Sequence, residues 1–260
     1  MKKYKLGFIG YGNMAKAIIG GILKSGILDK SQIALSDPAS KDSDGIFCTN
    51  DNDYVASNCD YLFLSVKPQV FKSINFSCTA DCVISIMAGT DSAYIGKKLN
   101  MQGKVIRVMP NTPAQIGMGV AAIAVNGLDK KHNDFCKSIF DSVGQAYFIP
   151  ENKFDAVTCV SGSGPAYVYY FADAMIKGGI ENGLDPEISK TLALGTIIGA
   201  CEMIKAHPEI PPETLIQNVC SKGGTTIEAV RILERDDVCK TVVDAMNACR
   251  IRSEELGKEQ

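Results

Sequence analysis

The segment that most constrains the fold lies near the start of the chain, where a short apolar run leads into a glycine-rich turn and then a helical pattern. Residues 5–9 are mostly apolar, and Gly10-Tyr-Gly-Asn-Met-Ala15 follows them directly. Gly10 suits a tight turn, Gly12 leaves space beside the backbone, and Ala15 lets a helix pack closely on a strand. This order of strand, turn and helix predicts a dinucleotide-binding turn that follows a strand of a parallel sheet. The alternative is that the glycines serve only helix–sheet packing.

Apolar runs alternate with helical patterns up to about residue 150, and only helical patterns follow. The first arrangement is typical of a doubly wound parallel sheet. We therefore predict an α/β protein, with a Rossmann-type domain over residues 1–152 and an all-α domain over residues 153–260. The predicted strands are Lys5–Ile9, Gln32–Ser36, Tyr61–Val66, Cys82–Met87, Lys104–Met109, Gly119–Val125 and Ala146–Ile149. The predicted helices are Asn13–Ser25, Asp91–Leu99, Asp129–Asp141, Pro165–Asn182, Pro186–Lys205, Pro212–Val219, Thr225–Arg235 and Asp237–Leu256.

Composition argues against several classes of protein. The formal net charge of −2 offers no basic surface for nucleic acid. The longest apolar stretch, Leu192–Cys201, is too short to cross a bilayer, and the glycine turn interrupts the N-terminal apolar run too early for a signal peptide. The 10 cysteines form no Cys-x-x-Cys pair, so we expect reduced thiols and a cytoplasmic protein. With 2 histidines, far apart in sequence, we expect no metal site.

An acidic residue, Asp37, follows the second predicted strand, where a dinucleotide-binding fold places the group that binds the ribose hydroxyls. A carboxylate there favours NAD because it repels a 2′-phosphate. Ser36, Ser40 and Lys41 offer the opposite choice, since their side chains can bind that phosphate. Ser40 and Lys41 are equally explained as a solvated loop. The sequence leaves the choice between NADH and NADPH open.

Three further segments follow predicted strands, and ligands of open parallel sheets bind at the carboxyl ends of the strands. These segments are Ser65-Val-Lys-Pro68, Met87-Ala-Gly89 and Met109-Pro-Asn-Thr-Pro113. We include Pro68 and Asn111 among the candidate cofactor contacts for this reason. The two prolines around Asn111 are equally consistent with a rigid connection.

A second glycine-rich segment, Asn218-Val-Cys-Ser-Lys-Gly-Gly-Thr-Thr-Ile-Glu228, precedes a predicted helix. Thr225 and Glu228 have the spacing of a capping box. Gly223 and Gly224 allow a ligand to approach the backbone, and the free amides of a helix start suit a carboxylate. Taken alone, the segment is equally a well-capped helix.

Taken together, these segments resemble the pyrroline-5-carboxylate reductase family over essentially the whole chain. The motifs that carry the resemblance are Gly10-Tyr-Gly-Asn-Met-Ala15, Val66-Lys-Pro68, Arg107-Val-Met-Pro-Asn-Thr-Pro113, Ser161-Gly-Ser-Gly-Pro-Ala-Tyr167 and Gly223-Gly-Thr-Thr226. The resemblance implies a Rossmann domain, then a helical domain that interlocks with that of a second subunit. It implies reduction of 1-pyrroline-5-carboxylate to L-proline with NADH or NADPH.

The resemblance also implies where the ligands bind. The nucleotide is expected to contact Gly10, Tyr11, Gly12, Asn13, Met14, Ala15, Ser36, Asn52, Val66, Lys67 and Ala88. The substrate is expected to lie against Asn218, Gly223, Gly224, Thr225, Thr226 and also Glu209. A cyclic imine with a carboxylate needs an anion pocket and a hydrogen-bond partner for its ring nitrogen. We assign the first role to the Gly223–Thr226 amides and the second to the Thr226 hydroxyl.

Two residues depart from the family's pattern. Lys222 stands where the family has proline, which loosens the loop and adds a positive charge beside the carboxylate. We expect retained activity with altered substrate affinity. Cys220 replaces a small polar residue, and we interpret it as a packing residue.

Two other functions fit part of the sequence. A β-hydroxyacid dehydrogenase shares the domain plan but needs a lysine base on the helix after Gly162-Ser-Gly-Pro165, and no lysine occurs there before Lys177. A non-catalytic dinucleotide sensor is disfavoured by the intact Gly223–Thr226 segment.

The predicted helix around Leu192–Cys201 is apolar on most of its faces, and such a helix must be buried. We therefore predict a homodimer through the helical domain, and the sequence leaves a higher oligomer open. The alternative is a compact monomeric bundle.

Overall fold

A sheet of eight strands forms the centre of the N-terminal part of the protein. The structure is a computed structural model, and it describes residues 2–39, 45–125 and 127–258. The strands are β1 (Tyr4–Ile9), β2 (Ile33–Ser36), β3 (Phe47–Thr49), β4 (Cys59–Leu64), β5 (Cys82–Ser85), β6 (Val105–Met109), β7 (Gly119–Val125) and β8 (Gly144–Pro150). Their spatial order is β3-β2-β1-β4-β5-β6-β7-β8. All neighbouring pairs are parallel except β6 and β7, which are antiparallel.

Helices connect the strands and then make up the C-terminal part. They are α1 (Asn13–Lys24), α2 (Asn52–Ser57), α3 (Pro68–Ser73), α4 (Ser92–Leu99), α5 (Lys130–Asp141), α6 (Phe154–Val157), α7 (Gly164–Glu181), α8 (Pro186–Ala206), α9 (Pro212–Val219), α10 (Thr225–Arg235) and α11 (Val238–Lys258). The sequence explains where α8 begins. The Asp185 carboxylate accepts hydrogen bonds from the amides of Glu187 and Ile188, and the proline that follows Asp185 suits the first helical position.

The fold prediction is confirmed, and each predicted element lies within two residues of an observed one at both ends. Four short elements were missed: β3, α2, α3 and α6, the last of which has only 4 residues. β3 has 3 residues and a partly exposed face, so it leaves no apolar run. α2 and α3 have 6 residues each, which is too short for a helical repeat to show.

The inner strands β1, β2, β4, β5 and β6 are buried on both faces, which explains why they are continuous apolar runs. Successive residues of β4 alternate between the two cores. Tyr61 and Phe63 face α1 and α5, whereas Leu62 and Leu64 face α2, α3 and α4. The Phe63 ring stacks on that of Phe8 with 4.7 Å between ring centroids.

The chain divides into two compact units. The first comprises the described residues up to Pro165 together with those from Ala248 onward, and the second is Ala166–Asn247. The boundary that we predict at residues 152 and 153 stays a prediction.

All ten cysteines lie in the described part of the chain, and none of them is in a disulfide. Burial raises the pKa of Cys59 and Cys82 to about 12, and it raises the pKa of Cys136 well above its ordinary value. Such thiols stay protonated, so these three cysteines are packing residues rather than nucleophiles.

Among the described residues, no helix has both the length and the apolar character that crossing a membrane requires. Within the same part of the chain, no three His, Cys, Asp or Glu side chains are grouped so that they could hold a metal ion.

Candidate functional site

The turn after β1 has the geometry of a dinucleotide-binding turn. Gly10 has a φ of +95°, and a Cβ atom at this position would lie 2.8 Å from the backbone oxygen of Ser65. Only glycine fits there. Gly12 differs, because no atom lies within 4 Å of a Cβ added to it. This open space beside the backbone is what close approach of a phosphate requires.

The first turn of α1 faces that space. Gly12 is its N-cap residue in an extended conformation, and no side chain among the described residues caps the helix. The amides of Asn13, Met14 and Ala15 therefore belong to a helix start whose donors are left for a ligand. Ala15 is fully buried and packs the helix onto the sheet. The residues present fit the pyrophosphate of a dinucleotide.

The end of β2 brings the other predicted nucleotide contacts to the same turn. The Asp37 carboxylate accepts hydrogen bonds from the amides of Tyr11 at 2.7 Å and Ala39 at 2.8 Å. The Ser36 hydroxyl donates to the Asn52 side chain at 2.6 Å. Asp37 is thereby fixed beside the glycine turn, as expected for a ribose-binding carboxylate. Ser40 and Lys41, our alternative phosphate contacts, lie outside the described residues.

The segment after β4 packs directly against the glycine turn. The Ser65 hydroxyl donates to the Gly10 carbonyl at 2.6 Å, and the Val66 side chain reaches within 2.9 Å of the Cβ position of Gly10. Lys67 is exposed at the N-cap position of α3, whose first residue is Pro68. Ser65 supports the turn, a role that the sequence analysis missed although its position at a strand end was a usable signal.

Ala88 and Asn111 occupy different environments. Ala88 follows β5 and is exposed. Asn111 is largely buried, where its side-chain oxygen accepts the Val120 amide at 2.8 Å and its side-chain nitrogen donates to the Ser161 hydroxyl at 3.3 Å. These contacts support the rigid-connection alternative for Asn111, and its cofactor contact stays a prediction.

The second glycine-rich segment forms a helix start without a side-chain cap among the described residues. Gly223 has a φ of +73°, and Gly224 is the extended N-cap residue of α10. The predicted capping box is wrong, because Gly224 takes the cap position and Thr225 becomes the first helical residue. The Glu228 carboxylate instead pairs with Arg231 at 2.5 Å. The first-turn amides of α10 are consequently left for an anionic ligand.

The remaining substrate candidates also belong to the second unit. Asn218 lies in the last turn of α9. Glu209 follows α8, and its carboxylate lies 3.5 Å from the Nδ1 atom of His207. Lys222 is exposed at the beginning of the glycine turn. The cofactor candidates, by contrast, all belong to the first unit.

Known proteins match this arrangement along nearly the whole chain. A curated pyrroline-5-carboxylate reductase from Synechocystis sp. is 38% identical over 98% of the chain and 99% of the relative. One from Escherichia coli K12 is 37% identical over 98% of each protein. The chain belongs to the pyrroline-5-carboxylate reductase family. The resemblance that the sequence motifs predict is confirmed.

Family models and a solved structure of this family agree with the two-part plan. The model described as "Pyrroline-5-carboxylate reductase dimerisation" matches residues 151–256, and the model described as "NADP oxidoreductase coenzyme F420-dependent" matches residues 5–89. The crystal structure of Plasmodium falciparum pyrroline carboxylate reductase with NADP bound is 32% identical and has a TM-score of 0.89. That match covers 99% of both chains.

Proposed function

We propose that this protein reduces 1-pyrroline-5-carboxylate to L-proline with NADPH or NADH, the last step of proline biosynthesis. The family to which the chain belongs supports this activity. The observation that carries the proposal is the pair of glycine-capped helix starts, one at α1 and one at α10. The first suits the pyrophosphate of the cofactor and the second suits the carboxylate of the substrate.

We assign the cofactor to the carboxyl edge of the sheet. The amides at the start of α1 hold the pyrophosphate, while Ser36, Asp37 and Asn52 hold the adenosine half. Val66, Lys67, Pro68 and Ala88 follow β4 and β5, which belong to the second half of the sheet and hence to the nicotinamide half. When bound, the cofactor supplies a hydride to the imine carbon, and the nitrogen of the protonated imine keeps its proton in the product amine.

The α10 start binds the other reactant in this proposal. The amides of Gly224, Thr225 and Thr226 bind the carboxylate, and the Thr226 hydroxyl bonds the ring nitrogen. A protonated imine is already electrophilic, so the site needs neither a metal nor a strong base. The protein's main contribution is to orient the ring. The altered substrate affinity expected from Lys222 stays a prediction.

The helical part supports the predicted homodimer. In the single chain many large apolar side chains of residues 166–247 are exposed, including Tyr170 at 81%, Ile198 at 64% and Val219 at 65%. A second copy can cover this surface, and the match of residues 151–256 to a dimerisation model supports that role. We propose a homodimer that acts in the cytoplasm, where cysteines that form no disulfide stay reduced.

The proposed activity is tested by following the absorbance of NADH and NADPH with and without pyrroline-5-carboxylate. We expect the absorbance to fall only when the imine is present. A higher kcat/KM with NADH than with NADPH would support Asp37 as a carboxylate that binds the ribose hydroxyls and repels a 2′-phosphate. A higher kcat/KM with NADPH would contradict that role. Cofactor binding without imine-dependent oxidation would instead identify a dinucleotide sensor.

Replacement of Thr226 by alanine is expected to lower kcat/KM for the imine by about 10- to 150-fold, because a hydrogen bond to a charged ligand contributes about 1.5–3 kcal/mol. Thr225→Ala is the matched control. The proposed contribution of Thr225 is its amide, which alanine retains, so we expect a change below about 3-fold. Thr226→Ser should restore most of the activity. Steady-state kinetics with wild-type values for Thr226→Ala would disprove the role of the hydroxyl.

A further inference from the structure

In the loop between β5 and α4, Ala88 is an exposed residue between buried neighbours. Ala88 is exposed, whereas Met87 and Thr90 are only 2% and 1% exposed and Gly89 is also buried. The Thr90 hydroxyl donates to the Ala88 carbonyl at 3.3 Å. The conformation of Ala88 is therefore set by buried neighbours, and whatever holds those neighbours also determines how Ala88 meets a ligand.

One side of this loop is held by Glu151, which follows β8. Its carboxylate accepts hydrogen bonds from the Ser92 amide at 2.9 Å and the Ser92 hydroxyl at 2.5 Å. Ser92 is the first residue of α4, two positions after Thr90. The guanidinium of Arg107 lies 3.6 Å from the same carboxylate and is 8% exposed. Burial lowers the pKa of Arg107, and the nearby Glu151 charge opposes that shift.

The other side of the loop is held by the last turns of α11, which belong to the same compact unit. Gly89 has a φ of +64°, and a Cβ atom on it would lie 2.9 Å from the Leu256 Cβ. Ser253 is buried, and its hydroxyl donates a hydrogen bond to the Asp155 carboxylate at 2.6 Å. The short stretch from Glu151 to Asp155 therefore anchors both the start of α4 and the end of α11.

We propose that Glu151 and Asp155 are positioning residues that fix the Ala88 loop from both sides, so that Ala88 is presented to the nicotinamide half of the cofactor. The inference rests on the proposed NAD(P)H site. It concerns the nicotinamide half because β5 lies in the second half of the sheet, whereas the glycine turn and Asp37 lie in the first. Loss of either anchor then weakens whole-cofactor binding and leaves adenosine binding intact.

The test compares two probes on the full chain, NADPH and adenosine 2′,5′-bisphosphate, which lacks the nicotinamide half. We expect Glu151→Gln and Ser253→Ala each to raise the Kd of NADPH about 5- to 30-fold, which corresponds to about 1–2 kcal/mol, the loss of one or two hydrogen bonds. The Kd of the bisphosphate should stay within about 2-fold of wild type.

The matched control is Asp60→Asn. It disrupts the ion pair between Lys5 and Asp60, whose charged atoms are 3.0 Å apart. This pair lies near the amino ends of β1 and β4, away from the carboxyl ends where the cofactor is proposed to bind. We expect it to change neither Kd. Ser92→Ala removes one bond to Glu151 without leaving Arg107 unpaired, so it provides a milder variant if Glu151→Gln folds poorly.

The outcomes separate the inference from the proposed function. Wild-type affinity for NADPH in Glu151→Gln, Ser92→Ala and Ser253→Ala overturns the positioning role. An equal loss of affinity for both probes overturns it as well, since that result indicates a general structural role. If the wild-type protein prefers NADH, the same comparison is made with NADH and ADP, and if it binds none of these four probes, the proposed cofactor site itself is wrong.

Discussion

Replacement of Gly12 by valine is expected to weaken NADPH binding by about 150- to 25,000-fold. The valine side chain would occupy the space beside the first-turn amides of α1, and loss of two hydrogen bonds to a charged phosphate costs about 3–6 kcal/mol. The protein itself accommodates the change, because Gly12 has an extended backbone with φ of −76° and no atom within 4 Å of its Cβ position. Stability should fall by no more than about 1 kcal/mol, since valine is a poorer N-cap residue than glycine.

Gly10→Ala provides the contrasting variant. Its Cβ would lie 2.8 Å from the Ser65 backbone oxygen at a φ of +95°, so we expect a clear loss of thermal stability. NADPH titration and thermal unfolding of both variants separate the two effects. Near-wild-type NADPH affinity in Gly12→Val would show that the turn serves only helix–sheet packing.

Ile198→Asp is expected to convert the proposed dimer to monomers and to abolish reductase activity. Ile198 lies on α8 and is 64% exposed in the single chain, so a partner subunit must cover it if the helical part is the interface. Burial of an unpaired carboxylate at that interface costs several kcal/mol, and about 5 kcal/mol weakens a dimer by more than about 1,000-fold. Activity should fall with the dimer because the substrate candidates lie in the same helical part.

Sedimentation equilibrium measures the oligomeric state, and Ile198→Val is the matched control because it keeps an apolar side chain. We expect the control to remain dimeric and active. A dimeric Ile198→Asp protein would place the interface elsewhere, and a monomeric wild-type protein would contradict the dimer itself.

Features that depend on neighbours in sequence were predictable. The buried strands are read from continuous apolar runs, the start of α8 from Asp185 followed by proline, and the cofactor turn from the spacing of Gly10 and Gly12. Each of these signals spans only a few residues, because backbone conformation and burial on two faces leave a local pattern. The capping box predicted at Thr225 was wrong, because Gly224 and Thr225 are adjacent possible N-cap residues and the helix begins after Gly224.

The tertiary structure alone decided which distant residues meet. Glu151 bonds to Ser92 across 59 positions, and Ser253 bonds to Asp155 across 98. No spacing rule relates these pairs, since they are brought together by the order of the strands and by the return of α11 to the first unit. By itself the sequence determined the two helix starts that suit the ligands, through glycines whose backbone freedom is a local property. How firmly the Ala88 loop is held was decided by long-range packing, which depends on the whole fold.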